Sequence, residues 1–240
     1  MGSGNYWINW AEYTGLEFVF YGLGCALWVV TYAFYIRNIF KLKYLEMPVF
    51  AGCCDVAWEF VWSFKAQNNM GQLFQAANYV WFVLDAGLIF SYGVLFLGSK
   101  QFKAPQLTPR RVFIPMCLAI AVGAGMATYF LHSQGHDNPV GGRSAYLIQL
   151  SISFLYIQLM LGQPDLRNFS WTANWTRALG SAMVVVFFYL RFSDDPFLLT
   201  IGTASALVDA TFIYLFLQRR KQLRAVSSPD QVRQGALGHR

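Results

Sequence analysis

Apolar residues are arranged along this chain in seven long runs, which polar connections separate from one another. Each run has about 20 residues, the length that an α-helix needs to cross the hydrocarbon core of a bilayer. We therefore predict an all-α membrane protein in which seven transmembrane helices form one bundle. The predicted spans cover residues 17–36, 47–64, 73–97, 112–131, 144–162, 171–190 and 197–218.

The composition agrees with a membrane bundle and leaves no room for a second domain. Of the 240 residues, 56% are hydrophobic and only 12% are charged, against about 25% charged residues in soluble domains. We predict one transmembrane domain over residues 1–218, followed by a basic cytoplasmic tail, residues 219–240, that we expect to be disordered. The net charge of +6 does not indicate nucleic-acid binding, because the basic residues lie at the ends of the predicted helices.

The positions of the basic residues predict the orientation of the bundle. Three of the 18 Lys and Arg residues, Lys65, Arg143 and Arg191, belong to one side of the predicted membrane. The other fifteen belong to the opposite side, and cytoplasmic connections are the ones that carry an excess of Lys and Arg. The N-terminus is therefore predicted to lie outside and the C-terminus in the cytoplasm. We expect Arg177, in the first turns of the sixth span, to extend its charge to the membrane surface.

Four acidic residues lie at the middle of the predicted spans. Asp55 and Glu59 are four residues apart and share one face of the second helix. Asp85 lies in the third span and Asp209 in the last. No lysine, arginine or histidine lies at the middle of any predicted span, so we expect the four carboxyl groups to approach one another without a basic partner. Such residues in a membrane interior are costly and mark a functional site by default.

An unpaired carboxyl group in an apolar environment avoids its charged form and keeps a proton. A protonated carboxyl group in a cavity is suited to general acid catalysis, and it is equally suited to proton-coupled transport. The same helix faces carry aromatic and amide side chains, whose aromatic rings stabilise positive charge. The predicted substrate-binding residues are Asp55, Trp62, Asn78, Trp81, Asp85, Tyr156 and Phe212.

The segment Asp55-Val56-Ala57-Trp58-Glu59-Phe60, together with Asp209 in the last span, resembles the small integral-membrane terpene cyclases. Those enzymes serve fungal meroterpenoid and indole-diterpene pathways and bacterial indole-sesquiterpenoid pathways. The resemblance implies that Glu59 and Asp209 are the catalytic acids. It also implies that the enzyme protonates the terminal alkene or epoxide of a prenyl chain and that cyclisation proceeds through a carbocation until a proton is lost. We hold Asp209 to be the proton donor and Glu59 its relay.

The expected substrate carries a farnesyl or geranylgeranyl chain on an aromatic or indole head group. The choice between alkene and epoxide stays open, as does the oligomeric state. We predict neither a metal nor a cofactor, because the chain has no Asp-Asp-x-x-Asp or Asp-x-Asp-Asp pattern, and Asp194-Asp195 precedes Pro196 as an expected helix cap. A small proton-coupled transporter with seven helices is the alternative function, although we find no internal repeat of the kind such folds show.

Overall fold

The computed structural model describes residues 6–101 and 109–226, and helices dominate both parts. Every predicted apolar run forms a helix, and no β-strand occurs within these two described parts. The third run changes from α-helix to π-helix at Asp85. The elements in chain order are α1 (Gly15–Leu42), α2 (Val49–Phe64), α3 (Gln72–Leu84), the π-helix (Asp85–Gly98), α4 (Ser99–Gln101), α5 (Pro109–Ser133), α6 (Gly142–Leu161), α7 (Trp171–Arg191) and α8 (Pro196–Val226).

Within the described residues, five helical segments are long and apolar enough to cross a membrane. The helices α2 and α7 do not belong to this group: α2 has only 16 residues, and α7 carries Arg177 among its apolar residues. The protein is therefore an integral, multi-pass, all-helical membrane protein. The five segments are Gly15–Leu42, Gln72–Gly98, Arg111–Ser133, Gly142–Leu161 and Pro196–Arg224.

Hydrogen bonds at the helix starts show which ends of the bundle lie together. The segment that precedes α1 pairs with the start of α3, where the amide groups of Gln72 and Leu73 donate to the carbonyl oxygens of Tyr6 and Trp7. The start of α6 is similarly joined to the start of α8, because Arg143 Nε lies 2.7 Å from Asp195 Oδ2. Consequently α1 and α3 begin at the same end of the bundle, and so do α6 and α8.

Caps begin several of these helices. Thr14 and Glu17 form a reciprocal capping box at the start of α1. Asp195 Oδ1 accepts a hydrogen bond from the Leu198 amide at 3.1 Å, which confirms the predicted cap of the last helix. The last helix continues to Val226, so the first residues of the predicted tail are helical. The rest of that tail, residues 227–240, lies outside the described residues.

Close packing of α1 on α7 depends on two glycines. A Cβ atom at Gly24 would lie 2.9 Å from the Gly180 carbonyl oxygen, and one at Gly180 would lie 3.1 Å from the Gly24 carbonyl oxygen. Small residues allow two membrane helices to approach at their backbones in this way. The contact brings α7, and with it the side chain of Arg177, into the interior of the bundle.

Candidate active site

A cavity of about 170 Å³ lies between α1, α2, α3, α6 and α7. Its walls are mostly aromatic, and the polar side chains that reach it include Asp55, Glu59 and Gln149. Because aromatic faces stabilise a cation without reacting with it, such a lining suits a positively charged intermediate. The aromatic lining consists of Tyr21, Trp28, Tyr32, Trp58, Trp81, Tyr146 and Phe188.

Three of the predicted acids gather beside this cavity. Asp55 and Glu59 line it from α2, and Asp85, the first residue of the π-helix, lies next to them. Asp85 is almost fully buried, and its Oδ2 accepts a hydrogen bond of 3.1 Å from the Tyr32 hydroxyl group. Within the described residues, Glu59 Oε2 and Asp85 Oδ1 are buried without a hydrogen-bond partner, and none of the three carboxyl groups forms an ion pair.

Asp209 does not belong to this group of carboxyl groups, because it forms an ion pair with Arg177. Arg177 Nη1 lies 2.8 Å from Asp209 Oδ1, and the two side chains are 0% and 2% exposed. The guanidinium carbon also lies 4.3 Å from the ring centre of Tyr156 and 5.3 Å from that of Phe212. The prediction that Arg177 reaches the membrane surface is therefore wrong, and so is the prediction that Asp209 lacks a basic partner. A buried arginine compensates the buried aspartate, as both charges need.

Gln149 connects this ion pair to the cavity. Its Nε2 donates to Asp209 Oδ2 and to Ser153 Oγ, both at 3.3 Å, while the side chain lines the cavity. A carboxylate accepts hydrogen bonds only, so the amide nitrogen must face Asp209. With both N–H groups used in this way, the carbonyl oxygen of Gln149 is the group left to face the cavity.

A second buried polar network lies between Asp209 and the connection that joins α1 to α2. Glu46, in this connection, accepts hydrogen bonds from the Asn38 and Asn174 side chains and from the Ser170 amide. The Tyr156 hydroxyl group donates to the Glu46 carbonyl oxygen at 2.9 Å. Burial raises the pKa of Glu46 to about 8, although the three N–H donors favour its ionised form. The network fixes the ends of α1, α6 and α7 relative to one another.

Three of the predicted substrate-binding residues belong to the cavity or its wall. Asp55 and Trp81 line the cavity, and Asp85 lies directly behind its acidic wall. Asp55 and Asp85 were predicted from their depth in the spans, and Trp81 from the helix face that it shares with Asp85. The structure brings all three to the same part of the bundle.

The other four predicted substrate-binding residues do not line the cavity. The Asn78 carbonyl oxygen accepts a hydrogen bond from Ser63, and Trp62 is buried against Trp58. Tyr156 and Phe212 pack around Arg177 instead. These residues were predicted from helix faces, and an aromatic residue on the face of a membrane helix packs against its neighbours more often than it binds a ligand.

Sequence reasoning missed Tyr32, Trp58 and the role of Arg177. Trp58 lies within the acidic segment of α2, but its spacing from Asp55 and Glu59 gave no reason to place it in the cavity. An arginine within an apolar run could have been the signal of a buried ion pair, because its charge needs either a buried acidic partner or a side chain that extends to the membrane surface. No group of three or more His, Cys, Asp or Glu residues in the described parts is placed to hold a metal ion.

Comparison with known proteins identifies the family to which this architecture belongs. Residues 9–222 match the sequence model of the Pyr4-like transmembrane terpene cyclases. The chain is 25% identical to the Pyr4-family terpene cyclase mfmH of Annulohypoxylon moriforme over 190 residues, which are 79% of this chain and 74% of the relative. It is 26% identical to the terpene cyclase macJ of Penicillium terrestre over 214 residues, 82% of this chain and 80% of the relative.

A third relative is the asnovolin H synthase nvfL of Aspergillus novofumigatus, which is 24% identical over 214 residues, 82% of this chain and 84% of the relative. No solved structure matches the chain. The family match covers nearly all of the described residues and favours an enzyme over the transporter that the sequence left open. The protein is a multi-pass membrane enzyme that belongs to the Pyr4-like transmembrane terpene cyclases.

Proposed function

We propose that the cavity is the active site of a cyclase that starts its reaction by protonation. The position of Glu59 carries this proposal: the buried side chain lines an aromatic cavity and forms no ion pair with any described residue. The charged form of a carboxyl group is costly in such surroundings, so Glu59 keeps its proton and acts as a general acid. The neighbouring carboxyl groups of Asp55 and Asp85 favour the protonated form of Glu59, because negative charges on adjacent carboxyl groups repel one another.

The substrate in this proposal carries a prenyl chain on an aromatic or indole head group. Transfer of the Glu59 proton to the terminal alkene forms a C–H bond from the π electrons and leaves a tertiary carbocation. With an epoxide the proton goes to the oxygen atom, and the C–O bond breaks. Further double bonds of the chain attack the cation in turn, and loss of a proton to a carboxylate ends the reaction. The product of an alkene substrate is therefore an isomer of that substrate.

Aromatic side chains hold the cation away from water in this mechanism. Trp28, Trp58 and Trp81 line the cavity from three different helices. Tryptophan is the aromatic residue with the strongest attraction for a cation, and the interaction grows to about 2 kcal/mol or more where water is excluded. The carbonyl oxygen of Gln149 adds a dipole whose negative end faces the same space.

Asp209 has a positioning role in this proposal rather than the role of proton donor. The Asp209 carboxyl group contacts Arg177 Nη1 and Gln149 Nε2 and does not line the cavity, so it lies out of reach of a substrate held there. The carboxylate instead orients Gln149, and Arg177 fixes the carboxylate. Glu59 is then the donor, which reverses the division of labour that the sequence suggested for the two residues.

We also propose that α2 and α7 cross the membrane, which gives seven spans. The end of α1 leads into α2, and α3 begins beside the segment that precedes α1. Because α1 and α3 begin at the same end of the bundle, α2 must return across it. The same argument applies to α7, which connects the end of α6 to α8 at the end where Arg143 meets Asp195. With the excess of basic residues in the cytoplasm, the N-terminus lies outside.

Replacement of Glu59 by glutamine tests the proposed acid. The amide has the same size but cannot donate a proton at usable acidity, so we expect kcat to fall by about 10²–10⁴-fold. The assay incubates membranes that contain the protein with farnesylated and geranylgeranylated indoles, with and without a terminal epoxide.

The matched control for this variant is Glu17→Gln. Glu17 is 7% exposed and Glu59 is 8% exposed, so both are buried glutamates. A glutamine at position 17 keeps the capping box of α1 and should keep the activity. Normal cyclisation by Glu59→Gln at equal protein level would contradict the proposal.

A further inference from the structure

Contact between α1 and α3 is sparse along the wall of the cavity. The interval between them is formed by residues 22–31 of α1 and residues 75–84 of α3. At one end of this interval the Phe18 and Phe74 rings stack with their centres 5.5 Å apart. At the other end the Tyr32 hydroxyl group bonds to Asp85, the residue that follows α3. Beyond Asp85 the two segments meet again, where Phe40 stacks on Tyr92 at 5.3 Å. No hydrogen bond or ring contact joins residues 22–31 of α1 to residues 75–84 of α3, both of which are fully described.

The residues of α1 in this interval form no hydrogen bond or ring contact with α3, and some of them are exposed. Phe18, Gly22, Val29, Tyr32 and Phe40 follow one another at spacings that place them on one face of the helix. The first and the last two contact the third span, yet Val29 between them is 54% exposed. A Cβ atom added at Gly22 would meet no atom within 4 Å. The face therefore contacts the third span at both ends, while Val29 in its middle is exposed and Gly22 has free space beside it.

The open interval borders the cavity. Cys25 and Trp28 line the cavity from the α1 side, and Trp81 lines it from the α3 side. All three are only partly buried. Because α1 and α3 both belong to candidate membrane spans, the space outside this interval is the hydrocarbon of the bilayer. An apolar molecule in the bilayer at this position is therefore next to the partly exposed residues that line this side of the cavity.

From this arrangement we infer that the interval between α1 and α3 is the entrance through which the prenyl chain passes from the bilayer into the cavity. The inference rests on the proposed function, since it takes the cavity to be the active site. A prenyl chain partitions into the hydrocarbon of the membrane because it is apolar. Entry from the side spares it a passage through water and leads its terminal carbon atoms towards the Tyr32–Asp85 end of the opening, where the acids lie.

The test narrows the opening without touching the acids. In Val29→Trp a large side chain fills the interval, and we expect kcat/KM for a farnesylated indole in lipid nanodiscs to fall by about tenfold or more, while kcat at saturating substrate changes little. A change of that kind indicates impaired access rather than impaired chemistry. The control is Val19→Trp, because Val19 is also 54% exposed and lies on the same helix outside the α3-facing row. Equal kcat/KM in the two variants would overturn the inference.

A second pair of variants decides the question if Val29→Trp fails to fold. Gly22→Phe places a ring in the same interval, and Gly123→Phe places one on α5, where an added Cβ atom likewise meets no atom within 4 Å. We expect only Gly22→Phe to lower kcat/KM, and equal values in this pair would contradict the entrance. An active Glu59→Gln variant would instead contradict the proposed acid, so the two ideas fail through different measurements.

Discussion

The ion pair of Arg177 and Asp209 provides the sharpest prediction. Arg177 Nη1 and Asp209 Oδ1 are 2.8 Å apart, and both side chains are almost completely buried. Asp209→Asn removes the negative charge but leaves the guanidinium group buried. Arg177 Nε and Nη2 already lack a hydrogen-bond partner among the described residues. The remaining charge therefore has no compensation at this position.

The magnitude follows from the burial of both partners. Loss of one partner of a buried ion pair costs about 3–5 kcal/mol, because the other charge is left uncompensated. In a domain of this size each kcal/mol lowers the melting temperature by about 2–4 °C, so Asp209→Asn should lower it by roughly 6–20 °C. In the double variant Arg177→Met/Asp209→Asn no charge is left behind. We expect its loss of stability to be smaller than the sum of the two single losses by about 0.5–3 kcal/mol.

The same variants separate a positioning role of Asp209 from a role as proton donor. The side-chain oxygen of an asparagine at position 209 still accepts the hydrogen bond from Gln149 Nε2 once the guanidinium group is gone. The double variant should therefore recover part of the kcat that Asp209→Asn loses, measured at equal amounts of folded protein. If Asp209 were the donor, no recovery would follow, because neither variant carries an acid at position 209. The variant Gln149→Met distinguishes a positioning role of the ion pair from a purely structural one. It should lower kcat if Asp209 orients Gln149 for catalysis, and it should leave kcat unchanged if the ion pair only stabilises the fold.

Thermal unfolding in detergent micelles and turnover in nanodiscs measure these effects. Strictly additive losses of stability would refute the assignment of a buried, interacting pair. A double variant as inactive as Asp209→Asn would refute the positioning role and return Asp209 to the place of the acid. Unchanged kcat in Gln149→Met would show that the amide does not take part in catalysis.

Three further predictions concern topology, metal and pH. A cysteine introduced in place of the exposed Gln134 should react with a membrane-impermeant reagent added outside, and one in place of Pro164 should not; the reverse pattern would invert the orientation. Activity in washed membranes should survive excess chelator, and its loss with rescue by magnesium would indicate diphosphate ionisation instead. Burial raises the pKa of Glu46 from 4.5 to about 8, so the folded protein retains a proton that the unfolded chain releases between these values. The melting temperature should therefore fall as the pH rises through this window, and Glu46→Gln should lose that part of the dependence.

The helices and the family could be predicted from the amino-acid sequence. Spans of apolar residues reflect the thickness of the bilayer and depend only on neighbouring residues, so each of the seven predicted runs forms a helix. The helices α1 and α8 extend well beyond the ends that were predicted for them. The acids of α2 were recognised for a similar reason, because a four-residue spacing fixes their common face. Asp55-Val56-Ala57-Trp58-Glu59-Phe60 is a local signal, and it carried the resemblance that the family match confirms.

Which acids lie together depends on the packing of the helices and could not be predicted. Asp209 and Arg177 are 32 residues apart in sequence and lie on different helices, so no local pattern could reveal their contact. The change from α-helix to π-helix at Asp85 alters the direction of every later side chain in the third span, and the apolar sequence of that span gives no sign of it. Helix rotation finally places Trp58 in the cavity wall while Trp62, one turn later, packs behind it. Burial of a tryptophan is favourable both in the cavity wall and behind it, so the residue type does not predict which of the two places it takes. The packing of the neighbouring helices decides that.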